Sequence, residues 1–217
     1  MNRRTLVLST TLLAAAVFVG GSYAYKSAQA PEPNLPVGGD SLVRPHSPIL
    51  GPVDAKVTIV EFLDPSCEAC RAFYPFVKQV MAQYPKDVRV VVRYAAFHQG
   101  SDEAVKILEA ARKQDKYEAV LEAVFRLQGQ WAMHGAPSIS RLEGIASSAG
   151  LDIGQARKDA ASFEVSEVLR RDAADVKTLN IRATPTFYVN GKTLTNFSPE
   201  GLFELVASEV NATRSSP

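Results

Sequence analysis

Val57-Thr58-Ile59-Val60-Glu61-Phe62-Leu63-Asp64-Pro65-Ser66-Cys67-Glu68-Ala69-Cys70 is the stretch on which the fold turns. Its first seven residues are β-rich and, apart from Glu61, almost continuously apolar, the pattern of a strand buried on both faces. Asp64-Pro65-Ser66 breaks that strand. From Cys67 to about Gln83 the spacing changes to helical, with Phe73, Phe76, Val77 and Val80 on one side, and Pro75 is expected to kink the helix. Cys67 therefore falls where a strand hands over to a helix. The unpaired N–H groups and positive dipole end there favour a thiolate. Cys70 lies one turn on, on the same face. It can attack a mixed disulfide formed at Cys67 and release the bound partner, which is the second half of thiol–disulfide exchange.

These are the chain's only two cysteines, so neither a multi-bridge disulfide scaffold nor a four-ligand structural zinc site can be built from them. A structural disulfide would close too short a loop to stabilise much. Soft thiolate pairs also hold Cu(I), and copper handling is the alternative reading. It requires further soft ligands, and Met1, Met81 and Met133 do not gather beside the pair. Glu61 admits two readings. Buried beneath the cysteines, it would hold its proton and relay the one that Cys70 loses; on an edge strand, it would face water.

Working outward, Val88 to Tyr94 forms a second strong strand. Residues 101–179 read as helical, divided by Gly129, Gly135-Ala136-Pro137 and Gly150 into about four helices. Strand character returns at Thr186-Phe187-Tyr188-Val189. Asn190-Gly191, a strong hairpin signal, then leads into Lys192-Thr193-Leu194, and Ser198-Pro199-Glu200 opens a last helix. This order predicts an α/β fold, a mixed central sheet flanked by helices. Thr184-Pro185 stands at a strand entrance, where a proline costs no ladder hydrogen bond. His98, in the loop after the second strand, is placed to lie near the active-site face, although a lone histidine in a loop more often reads as solvated than catalytic.

At the N-terminus, Arg3 and Arg4 precede an uncharged run from Thr5 to Tyr25, and small residues at Ala24 and Ala30 offer cleavage sites. Residues 1–25 are read as a signal peptide or membrane anchor. Residues 26–50, with Pro31, Pro33, Pro36, Pro45 and Pro48, are read as a linker, and the domain as 51–212. Either form of the leader implies export, to the periplasm or tethered to the membrane by residues 5–25. With 24 basic against 23 acidic side chains, no electrostatic footprint for nucleic acid exists.

Val57 to Phe62, Asp64, Cys67-Glu68-Ala69-Cys70 and Ala183-Thr184-Pro185-Thr186-Phe187-Tyr188-Val189-Asn190-Gly191-Lys192 together resemble the DsbA-like branch of the thioredoxin superfamily, and within it the BdbD and suppressor-of-copper-sensitivity subgroup. The resemblance spans Gly51 to Val210. It implies a thioredoxin-like fold with a helical insertion at about 101–179, Cys67 as nucleophile and Cys70 as resolving thiol. It also implies Glu61 as buried acid, Pro185 as a cis-proline and Thr184 as its substrate-contacting neighbour. Phe125 to Trp131 resembles a Phe…Gln…Trp segment that packs the insertion. Exported proteins bearing thiols or disulfides are the implied substrates, with a membrane redox partner and no cofactor or metal. One departure concerns Glu68 and Ala69, where the family usually carries proline with histidine or tyrosine. An anionic Glu68 is expected to raise the Cys67 pKa and make the couple less oxidising than the strong oxidases.

Overall fold

The computed structural model describes residues 39–133 and 136–215. The candidate leader and residues 26–38 of the candidate linker lie outside the described residues. Among the described residues no helix is long and apolar enough to cross a membrane.

The described chain runs α1 (Gly39–Leu42), β1 (Ile49–Leu50), β2 (Val57–Leu63), α2 (Glu68–Gln83), β3 (Val88–Tyr94), α3 (Ser101–Lys113), α4 (Tyr117–Arg126) and α5 (Gln128–Trp131). It continues through α6 (Ile139–Ser148), α7 (Ile153–Ala160), α8 (Phe163–Thr178), β4 (Thr186–Val189), β5 (Lys192–Thr193) and α9 (Pro199–Ser215). The five strands form one sheet in the order β1-β3-β2-β4-β5. β2 and β3 are parallel, with Val57 opposite Val88 and Leu63 opposite Tyr94, whereas β1, β4 and β5 pair antiparallel to their neighbours.

β2 lies between β3 and β4, which explains its near-continuous apolar run. Side chains alternate across the sheet. Ile59 and Leu63 face the larger core with Val77 and Val80 of α2, Leu108 and Val124 of the insertion, and Leu202 and Val206 of α9. Val60 and Phe62 face the smaller one, with Leu42, Val176 and Tyr188. Helices thus cover both faces, giving the thioredoxin-like arrangement with its helical insertion. Asn190 and Gly191 both take positive φ, 47° and 82°, as a tight hairpin turn requires. Ser198 Oγ accepts from the Gly201 N–H at 3.0 Å, capping α9.

Two details differ from the sequence reading. The described fold includes chain ahead of Gly51: Ile49 and Leu50 pair with Val91 and Val90, and the Pro48 carbonyl accepts from the Val92 N–H at 2.9 Å. A proline cannot donate to a ladder but can accept at its edge, so a proline-rich stretch conceals a short strand. The insertion holds six helices among the described residues rather than about four. Breaks without glycine arise at Asp115, which takes positive φ, and at Ser162, whose side chain caps α8. Gly129 lies inside α5. α2 runs from Glu68 to Gln83 with Pro75 inside it, the extent that the spacing predicts.

A buried ion cluster ties the N-terminal segment to α8. Arg93 has no exposed surface. Its guanidinium donates to Asp172 at 2.8 and 3.0 Å, to Asp175 at 2.5 Å, and to the carbonyls of Ser41 and Leu42. Arg44 donates twice to Asp175, and His46 Nε2 lies 2.8 Å from Asp172.

Candidate active site

The site assembles where β2 ends. Cys67, in extended conformation with φ −74° and ψ 122°, is the N-cap of α2. β4 pairs with β2 so that Thr186 lies opposite Phe62, which carries Thr184 and Pro185 to the start of α2. The Thr184–Pro185 bond is cis, and the Cys67 thiol donates to the Thr184 carbonyl at 3.2 Å. Cys70 is wholly buried behind it, and both thiols are free.

Environment separates the two sulfurs. The Cys67 pKa is lowered to about 5, chiefly by a hydrogen bond from the Cys70 thiol. Burial opposes this, while the Thr184 side chain and the N–H groups of Cys70 and Ala69 add to it. Those N–H groups are the unpaired donors of the helix start. Burial drives the Cys70 pKa far above its ordinary value. Glu68 is solvent-exposed, and the expected rise in the Cys67 pKa from its charge is outweighed by these close donors.

Glu61 is 2% exposed in the central strand, so the water-facing alternative does not hold. It points to the same sheet face as Leu63, beneath the cysteines. Its Oε1 has no hydrogen-bond partner. Burial, and secondarily the nearby Cys67, raise its pKa to about 8.

Four polar residues complete the site that the sequence reading did not assign. Asp64, with no exposed surface, accepts from the backbone N–H groups of Ser66, Phe97 and His98 at 2.8, 2.8 and 3.0 Å, and from the Ser101 hydroxyl. Its own N–H reaches the Cys70 sulfur at 3.5 Å. His98 Nδ1 lies 2.7 Å from Asp64, and this bond raises the histidine pKa; the ring is therefore partnered rather than merely solvated. Gln128 of the insertion donates to the carbonyls of Pro65 and Cys67 at 2.8 and 3.0 Å. Its place in the Phe125–Trp131 segment is the available signal; for Asp64 it is the position just ahead of the cysteine motif, and for His98 only its loop after the second strand.

The arrangement defines a class: a thioredoxin-like fold bearing a CxxC thiol pair opposite a cis-proline. The chain belongs to the thioredoxin family, whose profile matches residues 44–207. It is 34% identical over 146 residues to the Na(+)/H(+) antiporter NhaA of Herminiimonas arsenicoxydans, covering 67% of this chain and 22% of that protein. The chain thus spans about a fifth of that relative's length. It is 29% identical over 167 residues to disulfide bond formation protein D of Bacillus subtilis, covering 70% and 71% of the two chains. Among solved structures, a thioredoxin-like oxidoreductase from Silicibacter pomeroyi superposes with a TM-score of 0.69 at 30% identity, covering 83% of this chain and all of that one. Oxidised BdbD from Bacillus subtilis gives 0.68 at 26% identity, covering 76% and 94%.

The buried acid yields a pH signature. The Glu61 pKa is raised on folding, so the native dithiol state is unpenalised below about pH 4.5. It loses stability as pH rises through about 8, where the folded carboxyl ionises. Glu61→Gln is therefore expected to match the parent in urea unfolding at pH 4 and to exceed it by a few kcal/mol at pH 9. Were Glu61 the base that serves Cys70, the same variant would slow release of a Cys67 mixed disulfide by about 10²-fold. Equal stability at both pH values would show that Glu61 does not titrate in the fold.

Proposed function

We propose that this chain is an exported thiol–disulfide oxidoreductase that exchanges disulfides with protein substrates through Cys67 and Cys70. The carrying observation is the Cys67 thiol at a helix start, 3.2 Å from the carbonyl beside a cis-proline, with its pKa lowered to about 5. In the oxidised form, a substrate thiolate attacks Cys67 Sγ. The S–S bond breaks, and Cys70 leaves with the electron pair and takes a proton, for which Glu61 is the nearby buried donor. A second substrate thiolate then attacks the substrate sulfur of the mixed disulfide. Cys67 departs as a stabilised thiolate, and the substrate gains the disulfide. The reverse sequence reduces a substrate. Reoxidation or rereduction by a membrane redox partner, and residence in the periplasm or on its membrane face, belong to the same proposal and rest on the leader-like N-terminus and the likeness to disulfide bond formation protein D.

A stabilised thiolate favours the reduced protein and so makes its disulfide more oxidising. Equilibrated with glutathione buffers and followed by thiol alkylation, the pair is expected to titrate between about −270 and about −120 mV, the values of thioredoxin and the strong oxidase DsbA. Absence of any redox transition would sink the exchange reading. A midpoint at or below about −270 mV would refute the argument that the stabilised Cys67 thiolate makes the disulfide more oxidising than that of thioredoxin.

A further inference from the structure

The exposed face of α2 leads from the nucleophile into a second feature. Arg71 follows Cys67 by four residues and Pro75 by eight, so both lie in a row along that face, about 6 and 12 Å from the N-cap at 1.5 Å per residue. There α2 and α4 enclose a pocket of about 460 Å³. Its floor is apolar: Pro75, with the rings of Tyr74 and Phe125 stacked at a tilt, centroids 5.3 Å apart. The Tyr74 hydroxyl is buried without a hydrogen-bond partner.

Its rim is cationic. Arg71, Lys78 and Arg126 line it against one acid, Glu122. Lys78 is paired with Glu118. The exposed guanidinium groups of Arg71 and Arg126 have neither an ion-pair nor a hydrogen-bond partner among the described residues, which leaves both forks open towards the pocket mouth. Guanidinium forks select carboxylates, and an apolar floor selects a ring or aliphatic side chain.

From this we infer that the α2–α4 pocket is a substrate subsite: it takes an apolar or aromatic side chain adjacent to a carboxylate, on a polypeptide whose cysteine is joined to Cys67. The inference rests on the disulfide-exchange reading. An extended chain advances about 3.3 Å per residue, so the pocket is reached about two to four residues from the substrate cysteine. The guanidinium groups of Arg71 and Arg126 hold the carboxylate, while Tyr74, Pro75 and Phe125 receive the side chain. Occupation raises the local concentration of one substrate sulfur at Cys67, and so gives preference among disulfides without altering the exchange chemistry.

The test uses the full reduced chain and short peptides carrying one cysteine as a mixed disulfide with 2-mercaptoethanol. Phe-Glu, Phe-Lys or Ser-Ser stands three residues before or after the cysteine. The Phe-Glu peptide of one polarity is expected to react at least 10-fold faster than its Phe-Lys and Ser-Ser counterparts at low salt, with the gap closing as salt rises. Arg126→Glu should reverse the order of Phe-Glu and Phe-Lys. Bis(2-hydroxyethyl) disulfide, which lacks a side chain for the pocket, reports the exchange reading separately. Reaction with it but equal rates for all peptides overturns the subsite; no reaction with any disulfide overturns the exchange reading instead. In that event fluorescence anisotropy of a labelled Phe-Glu peptide with serine for cysteine still decides the pocket. Saturable binding that weakens at least 10-fold in Arg126→Glu supports it, and equal binding of Phe-Glu and Phe-Lys forms refutes it.

Discussion

Cys67→Ser is expected to reduce insulin disulfide cleavage to the rate of the added dithiol alone. Cys67 is the sulfur placed at the helix start, against Thr184, with its pKa lowered to about 5. A serine hydroxyl neither ionises in this range nor forms a disulfide, so no mixed intermediate can arise. Cys70 cannot substitute for it. Its sulfur is fully buried, and burial raises its pKa far above neutrality, so both access and thiolate fraction fail. The comparison requires a variant of parental stability by thermal unfolding. Substantial residual turnover in such a variant would mean that the nucleophile has been assigned to the wrong sulfur.

Arg93→Ala is expected to lower the unfolding free energy by about 3–5 kcal/mol in urea titration. The guanidinium has no exposed surface, bridges Asp172 and Asp175, and lies over the Phe62 ring at 5.3 Å. Removing it leaves Asp172, among the described residues, with only His46 and the Tyr94 N–H as partners, and takes from the Ser41 and Leu42 carbonyls the Arg93 donor. An unpaired buried charge is costly even where the intact pair adds little net stability. A loss below about 1 kcal/mol would place this cluster with solvated surface pairs. Since the cluster lies on the sheet face opposite Glu61, the redox midpoint of the surviving folded variant should stay near the parental value.

The sequence was most informative where burial is two-sided or chemistry is local. β2 and β3 were legible to the residue because strands covered on both faces read as unbroken apolar runs. Asn190-Gly191 announced its hairpin through the positive φ that it tolerates, and the strand-to-helix junction fixed the setting of Cys67. Long-range polar contacts were illegible. Asp64 receives His98 from 34 residues away and Gln128 reaches Cys67 across 61, and nothing in local spacing encodes either. Glu61 needed the third dimension for the same reason: only the pairing of β4 beside β2 distinguishes a central strand from an edge. The charge of Glu68 sits on an exposed side chain and counts for less than the donors packed against the Cys67 sulfur, a balance that sequence does not encode.

The clasp of residues 41–50 on the domain also has a mechanical meaning. The N-terminal segment is held by the Arg93–Asp172–Asp175 cluster and the Arg44–Asp175 fork together with the two-residue strand β1. β1 pairs only with β3, so detaching it unzips one outer strand and leaves the β2–β4 contact, on which Thr184 and Cys67 depend, unloaded. The strand order thus separates the attachment of the N-terminal segment, at the outer edge of the sheet, from the β2–β4 pairing that sets the reactive sulfur.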